Sequence, residues 1–221
     1  FRFIYRLKVT SRRNSGFLFD ISSAFVQMSE QIGADELRKY ADAFGIGKKY
    51  DLGVSSSAGT LGDLPDGSAT AQSAIGQRDV TMTALQAAVM AGTVANKGTR
   101  MQPYLVNRIT DAQMKDIRTT KPKKADQAVN EETAATLTDL MYASERSSAG
   151  YDGNGFASKT GTAEHGEGLA PHVWYVAFDP ERDIAVGVVV KNGGNLGESA
   201  TGGKVSGPIG RAILRAYQGE Q

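Results

Sequence analysis

FASKTGTAEHGEGLAPHVWYVAFDPERDIAVGVVV, residues 156–190, decides how the chain folds. Its β-branched and aromatic runs are broken by turn residues, which predicts strands over 156–164, 173–178 and 184–191, the last two joined by a tight turn at 179–183. Consecutive strands with short links make an antiparallel sheet. Because Trp174 and Tyr175 alternate with Val173 and Val176, at least one of the two rings belongs to the core. The first strand is odd: it gathers Lys159, Thr160, Gly161 and Thr162, and a glycine inside a strand packs nothing.

Helical periodicity surrounds this sheet. Phe25, Met28, Ser29 and Ile32 stop at Gly33, and Leu37, Tyr40, Ala41 and Phe44 stop at Gly45, which predicts two short helices in series. Thr83 caps a helix running through Asn96, with Gly98 as its left-handed stop, and Asn130 caps another in which Ala134, Leu137, Leu140 and Met141 share a face. Ile209, Ala212, Ile213 and Ala216 mark a closing helix. Residues 46–72, rich in Gly, Ser, Asp and Pro, are expected to form a long ordered loop, 101–109 an edge strand because of Pro103, and 115–124 a polar crossing loop. The fold class is α/β (α+β), an antiparallel sheet covered by helices.

Composition removes several functions. With 221 residues, a net charge of +1 and no cysteine, the chain has no basic field for nucleic acid, no disulfide and no thiolate chemistry. The first twenty residues stand apart, with Arg2, Arg6, Lys8, Arg12 and Arg13 against Asp20 alone, and 1–9 alternate like a strand. No apolar run reaches the roughly 18 residues that span a bilayer. A start at Phe1 reads as an excerpt of a longer protein. Glu164, His165, Glu167 and His172 cluster in sequence, but their spacing matches no zinc motif, so neither metal nor cofactor is expected.

SAIGQRDVTMTALQAAVMAGTVANKGTRMQPYLV at 73–106, FASKTGTAEHG, the PHVWYVAF strand and GGKVSGPIGRAIL together resemble the transpeptidase domain of bacterial class B penicillin-binding proteins, over nearly everything from Ala24 onward. K-T-G is one of that group's three motifs. The resemblance implies a serine-type D,D-transpeptidase that cross-links peptidoglycan stem peptides, is trapped by β-lactam antibiotics, works on the outer face of the cytoplasmic membrane and meets cell-division or elongation proteins. It also answers the question of the glycine. The K-T-G strand would border the cleft and take a peptide beside it as one more strand, with Gly161 allowing close approach. The Thr162 N–H would supply half of an oxyanion hole, Thr160 and Thr162 hydroxyls would bind the substrate carboxylate, and Lys159 would add positive potential. Glu164 and His165 would position substrate at the rim.

The sequence departs from the family in two places. No serine is followed three positions later by lysine, so the nucleophile is expected outside this chain, and Asp20-Ile21-Ser22 stands where the family's serine–asparagine motif belongs. Residues 1–21 form an atypical basic segment, and 22–221 the C-terminal part of the domain. Two alternatives stay open: a pseudo-transpeptidase serving as a peptide-binding scaffold, and a β-lactam hydrolase, which 73–106 makes a poorer fit.

Overall fold

The computed structural model describes residues 21–219. The expected N-terminal strand at 1–9 and Asp20 lie outside them. Helix α1, Ile21–Phe44, is two helices joined at Gly33, whose φ of 78° and ψ of 165° break the helical path where the sequence places a stop. Residues 46–66 run without helix or strand apart from a bridge between Thr60 and Thr81. They are held by Gln86, whose buried amide donates to the carbonyls of Gly45, at 3.1 Å, and Ala58.

The expected loop ends early, because Gly67–Ala74 forms helix α2. Asp66 Oδ1 accepts from the Ala69 N–H at 2.8 Å, and Ala69, Ala71 and Ser73 are buried. Small residues carry too little apolar contrast for periodicity to reveal that helix.

Helix α3, Ala84–Ala95, begins at a complete capping box in which Thr83 and Gln86 satisfy each other's backbone. The next region corrects two expectations. Strands β1, Thr99–Met101, and β2, Arg108–Thr110, are separate pieces, since Pro103 interrupts the ladder between them. The polar stretch after them is no crossing loop: β3, Asp116–Thr119, pairs with β2, and β4, Lys124–Gln127, pairs with β1, both antiparallel. All of β3 is exposed, so neither of its faces had an apolar pattern to show.

Helix α4, Glu131–Ser147, starts at the Asn130 cap as expected. The main sheet follows: β5, Ala157–Ala163, β6, His172–Asp179, and β7, Ile184–Val190, in the order β5-β6-β7 and antiparallel throughout. A 3₁₀ segment at Lys191–Ser199 leads to the closing helix α5, Ser206–Gly219.

Two apolar clusters lie on opposite faces of this sheet. Phe156, Tyr175, Ala177, Val186 and Leu214 form the one under α5, while Ala157 and Phe178 pack with Ala91 and Val94 of α3 and with Leu137 and Met141 of α4. Tyr175 is therefore the fully buried ring of the Trp174–Tyr175 pair. The closing helix is where the sequence places it but turned the other way. Its inner face is Ser206, Gly207, Gly210, Arg211 and Leu214, and Ile209 and Ile213 are exposed.

Candidate active site

Strand β5 is an edge. Among the described residues it pairs only with β6, in a continuous register from Ala157 opposite Phe178 to Ala163 opposite His172. Its other side has no partner strand there, so it can accept one. Ala157 is core, and alternation places Lys159 and Gly161 on that same α3 and α4 side, with Ser158, Thr160 and Thr162 on the α5 side.

Lys159 and Thr162 are exposed, while Thr160 and Gly161 are half-buried. The Lys159 ammonium donates to the Thr160 carbonyl. The side chain reaches solvent, yet enough protein surrounds its charge that burial lowers its pKa below the ordinary lysine value. Gly161 stands opposite Trp174, and a Cβ at Gly161 would meet the Trp174 Cβ at 3.4 Å, an ordinary contact. The sheet itself does not demand a glycine there.

Glu164 and His165 follow β5 on an exposed loop. His165 Nε2 donates to the Ala170 carbonyl at 2.9 Å, and its ring lies over that of His172, with centroids 4.0 Å apart. His172 accepts the Asn192 N–H on Nδ1 at 3.1 Å, which places its own proton on Nε2. Burial, then the neighbouring His165 and Lys191, lower the His172 pKa. The pair thus braces the loop that leaves the edge strand. Among the described residues no group of three or more His, Asp or Glu is arranged to hold a metal.

Behind the strand is a group that sequence reading missed. Glu145 of α4 is fully buried, and its carboxylate accepts from Arg211 Nε at 2.6 Å, Asn154 Nδ2 at 2.9 Å, Tyr175 Oη at 3.0 Å and the Ser158 hydroxyl. Burial alone would raise its pKa, but hydrogen bonds from Arg211, Ser158 and Asn154, with the Arg211 charge, bring it below the usual carboxylate value. Tyr175 shifts the opposite way: burial, then the Glu145 charge, raise its pKa. A signal existed, because Glu145 continues the inward stripe of Leu137 and Met141, where a charge must find a partner.

A cavity of about 560 Å³ lies elsewhere, lined by Arg38, Asp42, Ile46, Asp63 and Asp79 among others and by nothing from β5. The outer side of β5, by contrast, has no partner strand among the described residues.

A helix-covered antiparallel sheet whose edge strand carries Lys-Thr-Gly-Thr is common to penicillin-binding proteins and serine β-lactamases. Between these, the chain belongs to the penicillin binding protein transpeptidase domain family, which it matches over residues 21–215. It is 43% identical over 211 residues to peptidoglycan D,D-transpeptidase PbpA of Mycolicibacterium smegmatis, an alignment covering 90% of this chain and 42% of that protein. It is 42% identical over 216 residues to PbpA of Mycobacterium tuberculosis, covering 92% of this chain and 43% of the relative. The chain therefore spans less than half the length of these relatives. The ceftriaxone acyl-enzyme complex of penicillin-binding protein A from M. tuberculosis superposes with a TM-score of 0.83 at 41% identity, covering 88% of this chain and 46% of the other. The penicillin G acyl-enzyme complex of the same protein gives 0.82, again at 41% identity.

Proposed function

We propose that residues 22–221 form the C-terminal part of a peptidoglycan D,D-transpeptidase, acting on the extracytoplasmic face of the cytoplasmic membrane within a division or elongation assembly. The observation that carries it is the β5 edge, unpaired among the described residues, with Lys159 and Thr162 exposed along it. A stem peptide ending in D-Ala-D-Ala lies against this edge and hydrogen-bonds to its backbone. The hydroxyls of Thr160 and Thr162 from one face, and from the other the long Lys159 side chain, whose ammonium reaches the strand backbone at the Thr160 carbonyl, hold the terminal carboxylate.

A serine hydroxyl from outside these residues attacks the penultimate carbonyl carbon, and the oxygen that gains charge meets the Thr162 N–H. One such donor is worth about 3 kcal/mol in the transition state. The carbon–nitrogen bond breaks, terminal D-alanine leaves with a proton on its amine, and the acyl group passes to the amine of a second stem peptide. β-Lactams follow the first half of this path and stop at the acyl-enzyme, the state in which the similar M. tuberculosis protein holds ceftriaxone and penicillin G.

The test is labelling by fluorescent penicillin read on a denaturing gel. The intact protein that carries these residues gives a covalent band, weakened by Lys159→Ala. This polypeptide by itself gives none, since no serine in it has the lysine at the third following position. A band from the polypeptide alone would place the nucleophile among these residues, and an unlabelled intact protein would remove the transpeptidase assignment.

A further inference from the structure

Glu145 is a hub for distant parts of the chain. Its two oxygens receive donors from α5, the 148–156 turn, β5 and β6, which fills the acceptor capacity of a carboxylate. Arg211 extends the hub, donating from Nη1 to the Ala149 carbonyl and from Nη2 to the Ser148 hydroxyl, each at 3.1 Å. Net stability is a weak reason for such a group: losing one partner of a buried ion pair is costly, but replacing the whole pair by apolar residues of the same volume is often neutral or stabilising. What an ion pair with four directional donors does better than leucine is fix position.

The element it fixes is the edge strand. Ser158 immediately precedes Lys159, is itself fully buried, and points its hydroxyl at Glu145 from the face opposite Lys159. Tyr175, the other donor on the same oxygen, stands directly across the ladder from Thr160. One carboxylate oxygen therefore holds β5 and β6 at neighbouring positions, just below the residues that meet substrate.

We propose that Glu145 is the positioning residue of acyl transfer at this edge, setting the pleat of 158–162 through Ser158 so that the Thr162 N–H and the Lys159 charge point where the oxyanion and the carboxylate form. It rests on the transpeptidase function proposed above. Glu145 touches no substrate. Its effect is on aim, and misplacement of a reacting geometry by a fraction of an ångström slows the covalent step more than it weakens binding.

The experiment uses the intact protein and penicillin G, with rapid-mixing kinetics separating non-covalent affinity from the rate constant of acylation, and active-site titration counting folded molecules. Ser158→Ala cuts the strand from Glu145 and leaves the Arg211 pair in place. The expected result is a rate constant lowered roughly 10-fold per titrated site, with affinity changed by less than about 3-fold. Glu145→Gln gives the same pattern, deeper. A merely structural group would reduce the number of titrated sites and leave the rate constant of each unchanged, and that outcome in Ser158→Ala overturns the proposal. If Glu145→Gln does not fold, Ser158→Ala alone decides. Wild-type protein that is not acylated at all would remove the transpeptidase function and this role together, a result distinct from a normal wild type with an indifferent variant.

Discussion

Lys159 carries its charge in surroundings that disfavour it. Burial lowers its pKa, so the ammonium loses its proton at a pH below the 10.5 of a free lysine. If that charge holds the substrate carboxylate, acylation of the intact protein by penicillin declines on the alkaline side with a midpoint under that value. Lys159→Arg keeps its charge through the range and moves the decline upward, although a guanidinium fits the site less well. A decline that stays in place in the arginine variant assigns it to another group. Lys159, Thr160, Gly161 and Thr162 could be singled out from sequence because they are consecutive, and they do lie on one strand. Glu145 was not singled out, since its partners Arg211 and Tyr175 are 66 and 30 positions away.

Helices α3 and α5 lie close on opposite sides of the sheet, and a glycine makes room for each. A Cβ at Gly187 of β7 would come within 2.7 Å of the Ala88 nitrogen and closer still to the Ala84 carbonyl, while one at Gly210 of α5 would overlap the Tyr175 ring. Gly187→Ala meets backbone, which cannot rotate aside, so α3 must lift. The expected cost is about 1–3 kcal/mol in urea unfolding. Unchanged stability would mean that α3 is not seated on β7 by this contact. Elements whose signals are local were readable: the Thr83 and Asn130 caps, the Gly33 break and the three strands of the main sheet. Strands β3 and β4 were not, because exposed polar residues become strands only when β2 and β1 supply partners. The face of α5 was misleading in another way. Its apolar stripe at Ile209 and Ile213 looks outward, and the inward side is made of glycine, serine and an arginine that the eye for hydrophobicity passes over.

Across the whole molecule, the Glu145 hub ties α4, the turn after it, β5, β6 and α5 into one unit, and this makes stability depend on acid. The folded pKa of Glu145 lies below the 4.5 of an unfolded carboxylate, so the unfolded chain binds the proton more readily. The stabilisation is complete above the unfolded value and is lost as pH falls through the folded one. Urea midpoints of this polypeptide, followed by the fluorescence of Trp174, the one tryptophan among its 221 residues, should therefore drop as the pH is taken below the carboxylate range. Glu145→Gln, less stable near neutrality, should lose part of that slope. An identical slope in the variant would place the acid sensitivity on other carboxylates.

Sequence by itself determined the antiparallel sheet, the capped helices and the strand that carries Lys-Thr-Gly-Thr, because each is written in residues a few positions apart, where backbone geometry dictates the pattern. Only the tertiary structure decided that β5 stands at an open edge, that a carboxylate lies buried behind it, that His165 and His172 stack, and which side of α5 meets the sheet. Those outcomes depend on hydration lost and hydrogen bonds gained between groups brought together by the fold, and local pattern at most hints at them, as the helical stripe through Leu137 and Met141 does for Glu145.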